Sequence, residues 1–395
     1  MTRDPRRRVV VLLKTAQGGL WVLPQVEELR RRGHEVVLVL PPGGGRLVEE
    51  LTARGFAVRR SPFDFRFRPS PSTLRDLLRL RRLLRALRPD VVQYHLYASA
   101  LAARLATLGT GIRRVHMVAG PLFLESGLIR RAERWLHRLD DLVVCGTADT
   151  SRRYGELGCP PSRRPVATYG VDTGRFAPPT DPRRHDEIRA KVRSELGIAQ
   201  DAFVVVMVAY VYPPRRLVHR GLGIKGHDVL LDAWREFAAR HPRAHLLLIG
   251  AGWGARGEAH RRELVERFRL AEDPTVTWLT DVADVRDHYL TADVSVSPSL
   301  SEGHGAALEA GAMAVPCIVS DAGGLPETVD GSTGWVVPRG DAAALGAALR
   351  SAYREEATGL LRARGRRSRA RMSARFDNRA SAVTVADLIE SVVAR

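Results

Sequence analysis

Apolar runs of five or six residues alternate along this chain with longer stretches whose apolar positions recur every three to four residues. Val9–Leu13 and Glu35–Leu40 are of the first kind; Leu20, Leu23, Val26 and Leu29, between them, are of the second. Short β-branched runs suit strands buried on both faces of a parallel sheet, and the wider spacing suits a helix packed along one face. The same alternation predicts strands at Phe56–Arg59, Val91–Tyr94, Arg114–Val118, Leu142–Cys145 and Val166–Thr168. It predicts helices at Ser72–Leu87, Tyr97–Leu108, Gly127–Arg138 and Ala148–Leu157. A Pro-rich polar stretch, residues 177–187, then reads as a linker.

After it the pattern restarts. Strands are predicted at Phe203–Ala209, His245–Ile249, Val276–Leu279, around Val294 and Val296, at Cys317–Val319 and at Gly334–Val337. Helices are predicted at Asp228–Arg240, Glu258–Leu270, Val285–Thr291, Asp341–Tyr353 and Ser373–Arg395. Two such halves argue for two doubly wound α/β domains. Ligands of such sheets bind beyond the carboxyl ends of the strands. Attention therefore falls on the turns there: Gln17-Gly18-Gly19, Gly250-Ala251-Gly252 and residues 299–327.

That last stretch reads SLSEGHGAALEAGAMAVPCIVSDAGGLPE. Glu302 lies in a loop after a strand, Gly305 opens a short Ala-rich helix carrying Glu309, and Gly323-Gly324 make a second turn before Glu327. Amides at a helix start attract anions, while carboxylates accept hydrogen bonds from hydroxyls. The combination suits a polyhydroxylated ligand that carries phosphate. A plain helix start, with Glu302 and Glu309 offsetting the macrodipole, also produces it.

The 395 residues leave room for two domains of about 150 residues each. The formal net charge is +18, supplied almost wholly by arginine, since Lys14, Lys191 and Lys225 are the only lysines. An acidic partner or a general bias toward arginine both account for this. The charge is spread out without a basic-aromatic platform for stacked bases, so no specific nucleic-acid partner is expected. No apolar run approaches the roughly 20 residues needed to span a membrane. Cys145, Cys159 and Cys317 have no ligand spacing, which fits a reducing compartment and a cytoplasmic location. Residues 70–88 place leucines at helical spacing among arginines. This fits either peripheral contact with an anionic membrane or an ordinary helix with a solvated basic face. Disorder is expected only in the first seven residues and in the Arg-rich stretch 363–371.

Residues 299–338 resemble the donor-binding domain of retaining family 4 glycosyltransferases, the glycosyl transferase group 1 type with the GT-B fold. Residues 224–234 (IKGHDVLLDAW), 248–254 (LIGAGWG), 170–176 (GVDTGRF), 31–41 and 88–95 are similar to further segments of that family, in the same order. The resemblance implies two Rossmann-like doubly wound domains facing a central cleft, with the C-terminal helix crossing back to the N-terminal domain. Residues 1–178, with about 376–395, would form the acceptor domain, and 188–375 the nucleotide-sugar donor domain. It implies retaining transfer from a nucleotide-diphosphate sugar, UDP-linked before GDP-mannose, to a glycan, lipid or small-molecule hydroxyl. No metal and no cofactor are expected.

The resemblance also assigns roles. Lys225, with Arg220 five residues earlier, would stabilise the departing diphosphate; Arg215 and Arg216 in the same long loop compete with Arg220 for that role. Glu302 would meet the sugar hydroxyls beside Gly303, His304 and Gly305, and Glu309 the ribose. Six residues separate Glu302 from Glu309 where the family usually has seven, which leaves a shortened loop or a shortened helix as explanations. Gly18 and Gly19 would approach the diphosphate through backbone amides, and Gly250 would line the donor site. His116 would lie near the reacting sugar and His95 near the acceptor, although histidines satisfied within a core read the same way. A sugar-nucleotide epimerase, a phosphorylase and a non-catalytic binding protein are the alternatives; three lysines leave little room for a phosphorylase's pyridoxal lysine.

Overall fold

The computed structural model describes residues 6–68, 70–214, 219 and 221–394. Two compact units emerge, Met1–Gly170 with Asn378–Arg395, and Val171–Asp377. The first contains strands β1 (Arg8–Leu13), β2 (Glu35–Leu40), β3 (Ala57–Arg60), β4 (Val91–His95), β5 (Arg113–Val118) and β6 (Leu142–Cys145). All pair in parallel, in the order β3-β2-β1-β4-β5-β6. The second contains β7 (Phe203–Val208), β8 (Ala244–Ile249), β9 (Val276–Leu279), β10 (Val294–Ser297), β11 (Cys317–Ser320) and β12 (Gly334–Val337). Their order is β12-β11-β10-β7-β8-β9, again all parallel. Both sheets thus have one topology. Strand order reverses between the first and fourth strands of each, β1/β4 and β7/β10, and loops leaving that point diverge to open a crevice.

Alternate residues of each central strand enter opposite cores. Val9, Val11 and Leu13 pack with helix 23–31 and with Val385, Ala386 and Ile389 of helix 378–393. Val10 and Leu12 pack with Leu80 and Leu84 of helix 71–87 and with helix 97–106. The C-terminal helix therefore returns to the N-terminal sheet, held also by Glu390, which accepts from Arg32 and pairs with His34.

Five expectations need correction. The Pro-rich segment is not all linker: Asp181 caps a helix, Pro182–Glu195, by accepting from the Arg183 amide, and Pro182 sits in the first turn, where its missing N–H costs nothing. The boundary falls at Gly170–Val171, because Val171 and Phe176 are buried in the second unit's core. The Arg-rich stretch is ordered within helix Leu360–Arg375. Its arginines find acceptors: Arg369 donates to the carbonyls of Phe176, Ala312 and Thr173, and Arg364 pairs with Glu355. A break at Phe376-Asp377 separates it from the last helix, which starts at Asn378 and not at Ser373. Finally, Val166–Thr168 contributes a single bridge to Cys145 and no strand, while helix Arg46–Ala53 had no expectation.

Candidate active site

The second sheet's switch point gathers two loops. After β7 the chain runs a long way to Lys225; after β10 it passes through Ser299 and Glu302. Leu300 donates its amide to the Ile224 carbonyl at 2.8 Å, which locks the loops together. Gly226 explains how they come so close. Its φ is +76°, and a Cβ there would lie 2.1 Å from the Pro298 carbonyl oxygen. Only glycine fits both the conformation and the space. Helix His227–Arg240 starts immediately after it.

Lys225 donates to the Glu302 carboxylate in a short ion pair, with side chains 21% and 16% exposed. Burial alone would lower the lysine's pKa, but the Glu302 charge and hydrogen bond outweigh it and hold the group above its ordinary value. Glu302 is fixed in turn by the Ser299 hydroxyl at 3.4 Å and the Gly303 amide at 3.1 Å. Its own carbonyl accepts from the Gly324 amide at 3.3 Å, so both glycine turns belong to one structure. A small recess beside the pair is lined by Met207, Ala209, Ser297 and Ala306. Tyr212 places its ring 5.9 Å from the Lys225 ammonium and stacks on Trp253, and Tyr210 meets the same tryptophan edge-on. Tyr210 and Trp253 are 52% and 43% exposed, leaving an aromatic face open next to the cation.

Glu309 stands in the first turn of helix Ala307–Ala312. Residues 303–306 precede that helix, and Gly305 in them has φ +53°. Burial raises the Glu309 carboxyl to about 7, opposed by the Tyr289 hydroxyl 3.4 Å away. His304 is buried, 3.4 Å from Glu327 and edge-on to Phe376. Gly250 carries φ +141° at the end of β8, with its amide given to Leu279 and its carbonyl accepting from Trp278. Both backbone groups of Gly250 are thus engaged within the second unit. Arg220, Arg215 and Arg216 lie outside the described residues.

In the first unit, Gly18 and Gly19 form the turn after β1. The Gly18 amide is satisfied by Thr15 at 3.3 Å, and Gly19 adopts φ +100° before a short 3-10 turn. His95 ends β4 but is buried, 3.0 Å from the Tyr169 hydroxyl and beneath the Trp21 ring. Burial lowers its pKa to about 3, so it is neutral. His116 departs furthest from expectation. It sits inside β5, fully buried, 3.3 Å from Arg104 and 3.4 Å from the Tyr154 hydroxyl. Burial, then the Arg104 charge, push its pKa well below the usual range. A neutral histidine without solvent contact holds a core together and is not placed to meet a sugar. His116, Glu133 and Asp140 could together ligate a metal. Arg104 already supplies that cluster's cation, donating to both carboxylates.

Sequence reasoning overlooked Tyr212 and Asp228. Asp228 is buried, accepts from the Gly223 amide at 3.0 Å and faces His260 at 3.5 Å, so it fixes the loop that presents Lys225. Its place in the first turn after Lys225-Gly226 was the available signal.

Comparison with known proteins agrees with this fold. The profile described as Glycosyltransferase Family 4 matches residues 21–175, and that described as Glycosyl transferases group 1 matches residues 214–355. A GDP-mannose-dependent alpha-(1-6)-phosphatidylinositol monomannoside mannosyltransferase of Mycolicibacterium smegmatis is 30% identical over 337 residues, 80% of this chain and 81% of that protein. A D-inositol 3-phosphate glycosyltransferase of Geodermatophilus obscurus is 33% identical over 220 residues, 53% of this chain but only 45% of its own length. Among solved structures, Anabaena HepE in complex with UDP superposes with a TM-score of 0.78 at 19% identity, over 97% of this chain and 100% of that one. Two Rossmann-like units, matching profiles across both, and a relative aligned over four-fifths of its length lead to one assignment: the chain belongs to the group 1, family 4 glycosyltransferases of the GT-B fold.

Proposed function

We propose that the chain transfers a sugar from a nucleotide-diphosphate sugar to a hydroxyl of a glycan, lipid or small-molecule acceptor, with retention of configuration. The observation that carries this reading is the Lys225–Glu302 pair at the second sheet's switch point. In this reading the lysine's free donors meet the diphosphate as charge develops on it, and Glu302 accepts from sugar hydroxyls. A preorganised cation in a partly dehydrated site contributes most where transition-state charge accumulates. No metal or cofactor enters the scheme. The bond from the anomeric carbon to phosphate breaks, the acceptor oxygen bonds to that carbon on the same face, and its proton passes to the departing phosphate oxygen. Glu309 takes a supporting role at the ribose, accepting from its hydroxyls. Tyr212 and Trp253 offer a stacking face beside the cation.

UDP-sugars are the favoured donors, in keeping with the UDP bound to HepE. GDP-mannose is the second reading, favoured by the Mycolicibacterium relative's dependence on it. A thermal-shift panel of UDP-, GDP-, ADP- and dTDP-sugars tests the choice. A donor at about 100 times its dissociation constant adds about 2.7 kcal/mol of stability. Stabilisation by none of the four would overturn the donor assignment. Consumption of the donor without any acceptor would favour an epimerase.

A further inference from the structure

Lys225 is carried by a four-residue turn, Gly223 to Gly226, closed by the Gly226 amide donating to the Gly223 carbonyl at 2.9 Å. Two anchors hold the turn from outside. The Leu300 amide donates to the Ile224 carbonyl, and the Asp228 carboxylate accepts from the Gly223 amide at 3.0 Å. Asp228 lies in the first turn of helix 227–240, yet its side chain is only 3% exposed. A buried carboxylate left without a cation is costly. His260 supplies one from the neighbouring helix, Gly254–Arg267. Its Nε2 faces Asp228 at 3.5 Å, an ion-pair contact longer than a good hydrogen bond, and its Nδ1 lies 3.1 Å from Glu263. Gly223 lies flush against both partners. A Cβ there would come 3.1 Å from His260 Nε2 and 3.3 Å from the Asp228 carboxylate. Imidazole, carboxylate and turn thus pack as one unit.

The surroundings favour the imidazolium. Asp228 raises the His260 pKa above its ordinary value, against burial and with help from Glu263. The charged groups nearby leave that balance in place. Burial pushes His227, beside Asp228 on the same helix, down to about 3, so it stays neutral. Arg267 reaches the other Asp228 oxygen at 3.6 Å, but its side chain is 52% exposed. Arg261 pairs with Glu258 and lies over the Trp278 ring, and Lys225 pairs with Glu302.

We propose that His260 is a positioning residue for Lys225: by holding Asp228 on the Gly223 amide, it keeps the turn that presents the ammonium in place. This rests on the reading of Lys225 as the cation that meets the departing diphosphate. The clamp is closed while the imidazolium persists and loosens as pH rises through the raised pKa of His260.

The chain makes a direct test simple, because Lys14, Lys191 and Lys225 are its only lysines. Labelling with 15N-lysine leaves three backbone amide signals in the full chain, and Lys225→Arg identifies that of Lys225. This signal should shift between about pH 6 and about pH 9, the range crossed by a histidine held above its ordinary value. The shift should vanish in His260→Gln. Glu263→Gln, made on an exposed side chain, should move it to lower pH. UDP and GDP, binding as the departing diphosphates, give the second readout by calorimetry. At about pH 6, His260→Gln should bind whichever of the two the wild type takes about tenfold more weakly, the worth of one charge-assisted contact. That ratio should fall toward one as pH rises. Taking the ratio at each pH cancels the titration of Glu309 and of the nucleotide. A Lys225 signal that ignores His260→Gln and Glu263→Gln would overturn the proposal. So would a ratio of one throughout, with Lys225→Ala still weakening the same nucleotide. Equal binding by Lys225→Ala and the wild type would instead remove the donor reading, and this inference with it.

Discussion

Two ion clusters, one in each unit, show how burial separates architecture from chemistry. Arg104, Glu133 and Asp140 are all fully buried. The guanidinium spends four donor contacts on the two carboxylates, and the Tyr94 and Tyr154 hydroxyls complete the shell. Lys225 and Glu302 keep part of their surface and share a single bond. An ammonium has three donors, so this cation retains capacity that the arginine has used. The first cluster joins two helices to a sheet. The second stands where loops diverge, beside a small recess. Glu309 is a third case, a carboxylate that hydrogen-bonds the Tyr289 hydroxyl and pairs with no cation among the described residues.

Breaking the saturated cluster should cost most. Arg104→Met leaves two carboxylates buried without their cation and should destabilise by about 3–5 kcal/mol in urea unfolding. Adding Glu133→Gln and Asp140→Asn should recover much of that. A loss as small as an exposed pair's would remove the contrast.

Glu309 comes next. Burial pushes its carboxyl up from the ordinary 4.5 to about 7, so the folded state holds its proton more tightly. Ionisation therefore works against folding, and stability falls as pH rises from 4.5 through 7. The total is about 3 kcal/mol. Subtracting the pH profile of Glu309→Gln from that of the wild type isolates this term; a flat difference would contradict the burial argument.

Lys225→Ala should lower kcat/KM by a hundredfold or more, about 2.7 kcal/mol of transition-state stabilisation. Its stability should change by less than about 1 kcal/mol, since the pair is partly solvated. Near-normal transfer would take Lys225 out of the mechanism.

The smallest effect concerns Gly19. Any side chain there is strained at φ +100°, by about 1 kcal/mol. Gly33 has φ +95° with nothing within 4 Å, so Gly33→Ala measures the same strain away from the turn. Activity lost in Gly19→Ala but kept in Gly33→Ala points to a contact made by the turn; equal activities exclude it.

Much of the fold was legible because buried parallel strands are short apolar runs. Val9–Leu13, Val91–His95 and Phe203–Val208 stand out without any knowledge of their neighbours. Helix 360–375 was not legible. Its arginines look like a solvated tract until carbonyls of distant residues 173, 176 and 312 accept from Arg369. Helix 182–195 was hidden by its prolines, which mark a linker and a helix start equally well. Within the site, Lys225 and Glu302 were visible through their neighbouring glycines. The same reasoning placed His116 within its strand but not on the buried side, because the side chains that cover it, Arg104 and Tyr154, come from distant helices.

The sequence by itself determined two α/β halves, the glycine turns at their strand ends and the residue types of a donor site. Those follow from local periodicity and from backbone conformations that few residues tolerate. Tertiary structure alone decided which charges are spent. Whether a carboxylate meets an arginine, a lysine or only a hydroxyl depends on residues 20 to 77 positions away, and so does the line between an ion pair that holds helices together and one that remains open to a ligand.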